Sequence, residues 1–416
     1  MELRVLHFTP HPPRDKALSG FLDTILTYMG EQADIHLAML VPRSEPITNC
    51  EVHCIGTGSA HYGEKGMVNL LALQKCFLKL LYSLMPDIVH VHGSYHFLNS
   101  RIALWSRKRG FPVVFSPYGG MNPDYIEEEY GSRTWKMLSY QKSMTAGASA
   151  ILSSDAKESE YIQRERLTDR VEFVSDPRND EYWGEENYAH SVLGIYHKVL
   201  DSDKGLHIDQ QSREALSALL HLSLSGSTER QPLCSEDILN LRGITPKQWR
   251  DIHLFAYEQG VTSNMEEGIA KAQLTVPEIH LESTPVFPLR QSKDQNPLGA
   301  TLSTNSPLSQ HRYENKLRHC DEAIRTTCVM LLNLRHLLRH DRATLRHLCD
   351  LTAVFRFDKL DERQLALQLK HLGLYNFTRR ICQVLHETTY LDEGYMPVPA
   401  LDDRGTSRIR THLMKY

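Results

Sequence analysis

Three short stretches of the chain combine residue types able to hold a polar ligand. The first, Pro10-His11-Pro12-Pro13-Arg14-Asp15-Lys16-Ala17-Leu18-Ser19-Gly20-Phe21, follows an apolar run. A strand, a polar loop and a small-residue pair opening a helix present backbone N–H groups to a phosphate or a sugar hydroxyl. Small residues such as Ser19 and Gly20 let backbone approach a ligand closely. Arg14 and Lys16 are the nearest cations that can meet a phosphate, or else are solvated loop residues. Ser19-Gly20 reads equally as an ordinary helix N-cap. The second stretch is His90-x-His92-Gly93-Ser94. Its period-two spacing points both imidazoles to one face, a geometry that can bind metal. No third ligand is apparent, so no metal is expected, and His92 is read as facing a ligand or as a satisfied structural histidine. The third is Ser116-Pro117-Tyr118-Gly119-Gly120-Met121-Asn122-Pro123, where Tyr118 and Gly119 sit in a glycine-paired loop suited to lining a cleft, or in a simple turn.

The elements around these stretches explain why all three are loops. Leu3–Thr9, Asp34–Val41, Asp87–His92, Pro112–Phe115, Ala148–Leu152 and Val171–Val174 are short apolar runs rich in β-formers, and Cys50 and Cys54 lie in a further strand-like stretch. Between them Ser19–Gln32, Gly66–Leu84 and a segment through Trp105 carry helical spacing. Alternating strand and helix predicts a doubly wound, Rossmann-like parallel sheet, whose ligands sit at the carboxyl ends of the strands. The β signals fade after about residue 180, and Ser212–Leu222 reads as helix. Thr245-Pro246-Lys247-Gln248 has the form of a capping box with proline at the first helical position. Residues 283–312 are rich in Ser, Thr, Asn, Gln and Pro and read as a flexible linker. Three or four helices are expected from Tyr313 to Tyr390, one of them starting at Asp361 and stopping at Gly373. The expected plan is an α/β domain over 1–180, a helical region over 181–282, the linker, and a helical C-terminal domain over 313–416.

Length and composition bound what such a chain can be. Its 416 residues suffice for two to three domains, with 41% hydrophobic and 24% charged residues, as in ordinary globular proteins. A formal charge of −4 argues against the cationic surface that drives nucleic-acid binding. No run approaches the length of a membrane span, and the start at Met1-Glu2-Leu3 lacks the apolar core of a signal peptide. The cysteines, 8 in all, show no CxxC spacing, which fits reduced thiols and a cytoplasmic protein.

The order of the loops adds a resemblance. "PDIVHVHGS", then "FPVVFSPYGGMNP", then "ASAILSSDAKESEYI", with "RVEFVSDPRND" closing the series, resembles the N-terminal domain of glycosyltransferase family 4, the retaining GT-B enzymes, over roughly residues 1–180. The resemblance implies an enzyme of cell-surface polysaccharide or glycoconjugate assembly that transfers a sugar from a nucleotide-sugar donor to a glycan or lipid-linked acceptor. It places Ser19-Gly20 in the family's Gly-Gly loop, with Ser in place of the first glycine, and Tyr118 where many relatives carry histidine. The donor is a substrate, so no separate cofactor is implied. Residues 181–416 show neither the Gly-Arg turn nor the Glu-x7-Glu motif of the family's second, donor-binding domain. The alternative is therefore a catalytically inactive relative, a sugar- or nucleotide-binding scaffold whose helices at 313–416 dock a protein partner.

Three further groups carry less. Asp201-Ser202-Asp203 has a DxD form but follows a helical stretch and reads as a solvated helix end, and His336, His340 and His347 read as a partly exposed helix face. Arg133-Thr134-Trp135-Lys136, with Tyr140 and Lys142, is a domain-packing helix or at most a peripheral membrane contact.

Overall fold

Each apolar run of the first half becomes a strand, because a sheet covered on both faces needs residues that are apolar on both sides. In a computed structural model these are β1 (Arg4–Phe8), β2 (Asp34–Met39), β3 (Cys50–Cys54), β4 (Ile88–His92), β5 (Val113–Ser116), β6 (Ala150–Ser153) and β7 (Val171–Phe173). The structure describes residues 3–11, 16–56, 69–128, 130–178, 184–226, 233–279, 285–288, 295–299, 301–302, 306–340 and 342–414. All seven strands are parallel, in the order β3-β2-β1-β4-β5-β6-β7. The chain builds outward from β1 to β3, then crosses back to continue from β4. The order therefore reverses between β1 and β4, which is the topological switch point of a doubly wound sheet.

The helices of this half are α1 (Lys16–Met29), α2 (Leu70–Leu84), α3 (Phe97–Arg107), α4 (Pro123–Glu128), α5 (Tyr130–Lys136), α6 (Lys142–Gly147), α7 (Ala156–Arg164) and α8 (Glu185–Ser202), with a π-helical turn at Met137–Gln141 between α5 and α6. On one face of the sheet Leu22, Ile25 and Leu26 of α1 and Tyr188, Val192, Tyr196 and Val199 of α8 pack on Val5, Ile35, Leu37 and Val114. On the other, Leu73, Phe77 and Leu81 of α2 and Ile102 and Trp105 of α3 pack on Leu6, Phe8, Val89 and Val91. Alternation along the central strands thus divides their buried apolar side chains between two cores.

The chain divides after Asp203 rather than near residue 180. The first unit is Met1–Asp203 with Pro285–Pro288, and the second is Lys204–Thr284 with Leu289–Tyr416. The boundary moves because α8 gives its apolar stripe to the sheet, which helical periodicity alone cannot show. Residues 285–288, expected within a linker, belong to the first unit for a physical reason. Phe287 is buried in the core under α1 and α8, its N–H donates to Ser202 Oγ at 2.7 Å, and Arg170 Nε donates to Pro288 O at 3.1 Å. Asp203, expected at a solvated helix end, is buried instead and takes a 2.8 Å bond from Arg170 Nη1.

The second unit's helices are α9 (Gln210–Leu224), α10 (Ser235–Arg242), α11 (Pro246–Gln259), α12 (Thr262–Ala272), α13 (Pro307–Leu317), α14 (Glu322–Arg339), α15 (Leu345–Phe357), α16 (Glu362–Leu372), α17 (Tyr375–Thr389) and α18 (Arg404–Met414). No strand occurs among its described residues. Its core centres on α9, where Ala215, Leu216, Leu219 and Leu220 are all buried. Gly268 of α12 lies so close that a Cβ there would stand 2.2 Å from Leu219 O, so only glycine permits this helix contact. The expected capping box forms at Thr245 and Gln248, and Gly373 ends α16 in the left-handed conformation. The expected linker is further reduced by α13 and by Leu298, which is buried and donates its N–H to Asp350 Oδ2 at 2.9 Å. His336 and His340 sit at the end of α14 with ring centroids 4.5 Å apart, whereas His347, expected on a partly exposed face, is buried in α15, where its Nδ1 accepts the Thr344 N–H at 3.0 Å and caps the helix. Among the described residues no helix is long and apolar enough to cross a membrane.

Candidate functional site

The switch point brings together side chains that lie far apart in sequence. Parallel pairing of β1 with β4 sets His7 directly beside His90, and alternation puts His92 on the same face. The three imidazoles are buried. His7 Nδ1 is 2.9 Å from His92 Nε2, with the two rings stacked at 5.1 Å. His90 spans two partners, with Nδ1 2.5 Å from Tyr196 Oη and Nε2 2.8 Å from Ser116 Oγ. His92 Nδ1 in turn meets Tyr118 Oη at 2.8 Å. The chain Tyr118–His92–His7 therefore runs from the loop after β5 into the sheet.

Burial fixes the charge of this group. Loss of solvation, with repulsion between the imidazoles, holds His7 and His90 well below the ordinary histidine range, and burial pushes His92 down to about 3. All three are neutral at physiological pH. A neutral chain has two proton arrangements. In one, Tyr118 donates to His92, His92 Nε2–H donates to His7, and His7 Nε2–H points into the core. In the other, His7 Nδ1–H donates to His92, His92 Nδ1–H donates to Tyr118 Oη, and the phenol keeps its own hydrogen beside the Ser116 side chain. His7 Nε2 is buried without a hydrogen-bond partner. An unmatched buried acceptor is tolerated more readily than an unmatched N–H, so the second arrangement is favoured. It leaves the Tyr118 hydroxyl as the donor at the end of the chain.

The loop after β5 is held in the shape this requires. Tyr118 adopts φ 53° and Gly119 φ 76°. Both values lie in the left-handed region, and the pair bends the chain back at the strand end. Glu158 of α7 fixes the bend from beneath. Its carboxylate accepts Met121 N–H at 2.8 Å, Gly119 N–H at 3.3 Å and Ser153 Oγ–H at 3.0 Å. Glu158 is buried, and that burial outweighs these donors and pushes its carboxyl up to about 7. The loop after β4 is fastened similarly, because Asn99 Nδ2 donates to His92 O and Gly93 O, each at 2.7 Å. Near Tyr118, Arg178 grips Asp176 through Nε and Nη2 and lies over the Phe21 ring at 5.0 Å.

His92, Tyr118 and Gly119 thus fall where the sequence placed them, at the carboxyl edge of the sheet. Ser19 and Gly20 do not open their helix. They are its fourth and fifth residues, and Gly20 O already accepts a bond from Thr24 Oγ1 at 3.0 Å. Lys16 begins α1, while its side chain and all of Arg14 lie outside the described residues. Spacing in the sequence does not single out His7, Ser116, Glu158 or Tyr196. His7 has a signal in the alternation of the β1 run, but its partnership with His92 depends on strand pairing. Asp155-x-x-Glu158 has the signal of a capping box, in which Glu158 instead anchors the neighbouring loop.

The third imidazole missing from the sequence reading of His90 and His92 is His7, and the three offer nitrogens within 4.8 Å of one another. The group contains no carboxylate, and five of its six ring nitrogens already have partners. Its chemistry is that of an uncharged hydrogen-bonding relay ending in a phenol. No family model matches the chain, and no curated protein matches it.

Proposed function

We propose that the protein is glycosyltransferase-like and works in cell-surface polysaccharide or glycoconjugate assembly, its α/β unit holding a sugar-bearing ligand at the switch point between β1 and β4. The observation that carries this reading is the neutral Tyr118–His92–His7 chain at the carboxyl edge of a parallel sheet. Open α/β sheets bind ligands in that crevice. Uncharged donors and acceptors beside an aromatic ring suit sugar hydroxyls, and the order of the strand-end loops agrees with the family 4 resemblance. In the transferase reading the donor is a nucleotide sugar and the acceptor a glycan or lipid-linked sugar.

A second reading, binding without transfer, is favoured by one observation: every regular element among the described residues of the second unit is helical. A strand-built donor lobe of the kind the family uses has no counterpart there. The helices of 313–416 would then dock a protein partner.

Calorimetric titration with UDP, GDP, their sugar conjugates and free oligosaccharides tests the binding claim. The expected result is saturable binding to a sugar-bearing compound, lost in Tyr118→Ala. A folded protein that binds none of them overturns the reading. Transfer of labelled sugar to an acceptor separates the two readings once binding is established.

A further inference from the structure

On the opposite face of the sheet from His7, strands β2 and β3 carry a second cluster. Ile35, Leu37 and Met39 enter the core under α1 and α8, so Asp34, His36 and Ala38 face the other way. Strand β3 is the sheet edge, and its Cys50-Glu51-Val52-His53 sequence puts Glu51 and His53 on one face. Register pairs His36 with Glu51 and Ala38 with His53, which brings the two histidines and the glutamate together. His36 Nδ1 is 3.0 Å from His53 Nε2 and 3.5 Å from Glu51 Oε2. His36 is buried, His53 has 18% of its side chain exposed, and Glu51 has 68% exposed.

We propose that His36, His53 and Glu51 form a binding site for a divalent transition metal ion of the zinc class, with Asp34 as the outer residue that orients His36. The donor set is two imidazoles and one carboxylate, which suits such ions and leaves a fourth position for water or a ligand. The distances agree with it. Metal–nitrogen bonds of about 2.0–2.1 Å in a tetrahedron separate ligand atoms by roughly 3.3–3.5 Å, close to the 3.0 Å and 3.5 Å that separate His36 Nδ1 from His53 Nε2 and Glu51 Oε2. Asp34 supplies the outer contact that metal-bound histidines usually have. Its Oδ1 lies 3.1 Å from His36 Nε2, and its Oδ2 is held by Arg4 Nε at 2.5 Å. With the His36 hydrogen on Nε2, which has Asp34 Oδ1 at 3.1 Å but no aligned hydrogen bond, the Nδ1 lone pair faces His53 and Glu51. Binding then needs only that His53 carry its hydrogen on Nδ1, which points toward Glu51 Oε1 at 3.9 Å. The exposed glutamate gives the ion a route from solvent and supplies the negative charge that the three-histidine cluster lacks.

The test uses full-length protein without an affinity tag, with zinc followed by calorimetry and cobalt(II) by absorption. The expected result is one equivalent bound, with the d–d spectrum of a tetrahedral cobalt ion and no thiolate charge-transfer band. Asp34→Asn lowers the affinity by about tenfold or more, as for other outer-shell changes. His53→Ala and Glu51→Gln lower it further while leaving the circular dichroism unchanged, since both residues lie on an edge strand. Three results overturn the proposal: no zinc binding to the folded protein, full binding in His53→Ala, or a thiolate band that persists in Glu51→Gln. In the second case, loss of binding in His92→Gln would place the ion in the three-histidine cluster.

Discussion

The hydroxyl of Tyr118 lies 2.8 Å from Nδ1 of His92, and the two rings stack with centroids 5.8 Å apart and planes 11° from parallel. Tyr118 reaches this position only by adopting φ 53°, in the left-handed region that bulky residues seldom occupy. Such a conformation costs about 1–3 kcal/mol and persists where the surroundings impose it. Here the surroundings are Glu158, the following glycine and the His92 ring.

Removing only the Tyr118 hydroxyl separates the bond from the stack. Tyr118→Phe should keep the ring contact and lower stability by about 1 kcal/mol, the usual net value of one hydrogen bond. The loss of affinity for a sugar-bearing ligand should be larger, about tenfold, because the variant leaves His92 Nδ1 unmatched and lacks the hydroxyl. Urea unfolding and calorimetry on the same samples check the two values. Equal ligand affinity in Tyr118→Phe contradicts the role given to the hydroxyl.

The buried histidines predict acid sensitivity. His7 and His90 are held well below the ordinary range and His92 at about 3, so the folded state stays neutral where the unfolded chain takes up protons. Stability from these groups is fully present above the unfolded value of about 6.5 and is lost as pH falls toward their folded values. Each histidine contributes a slope of about 1.4 kcal/mol per pH unit in that window. The urea midpoint should fall steadily from about pH 6 downward, and His92→Gln should reduce the slope by one proton. A slope unchanged in His92→Gln would show that the imidazole is not held neutral.

Glu158 acts with the opposite sign. Its carboxyl is raised to about 7, so the folded state holds a proton that the unfolded chain has released. That contribution is fully present below the unfolded value of about 4.3 and is lost as pH rises through 7. Glu158→Gln cannot ionise, so its stability relative to the parent should rise by up to about 3 kcal/mol between pH 5 and pH 8. Unfolding free energies of both proteins at the two pH values measure this. A constant difference would mean that Glu158 titrates normally.

Arg170 and Asp203 form a buried pair at 2.8 Å, with side chains only 4% and 8% exposed. Arg170 also donates to Ser149 O and to Pro288 O. Asp203→Ala leaves a buried guanidinium without its counter-charge and should cost about 3–5 kcal/mol. Thermal unfolding measures the loss, and Asp203→Asn, which keeps an acceptor oxygen, should recover part of it.

Much of the first unit was legible because its strands are short apolar runs between polar loops. The Asp87–His92 and Pro112–Phe115 runs predicted β4 and β5, and with them the loops bearing His92 and Tyr118. The rest depended on relations that spacing does not carry. His7 joins His92 because β1 and β4 pair across the switch point, 85 residues apart in sequence. Ser19 and Gly20 looked like a helix start because small residues favour caps, yet α1 begins three residues earlier, at Lys16. Asp203 looked solvated because nothing near it in sequence indicates Arg170. Phe287 looked like part of a linker because Ser283, Thr284 and Pro285 precede it, yet its ring is buried and two hydrogen bonds hold the segment to the first unit.

The most direct measurement follows the ring nitrogens of histidine by NMR while nucleotide sugars and oligosaccharides are added to the full-length protein. The account predicts neutral His7, His90 and His92 at pH 6, and a ligand that shifts the His92 and His7 signals together through their shared bond. Saturable binding that leaves both sets of signals unmoved would contradict the claim that the ligand sits at the switch point.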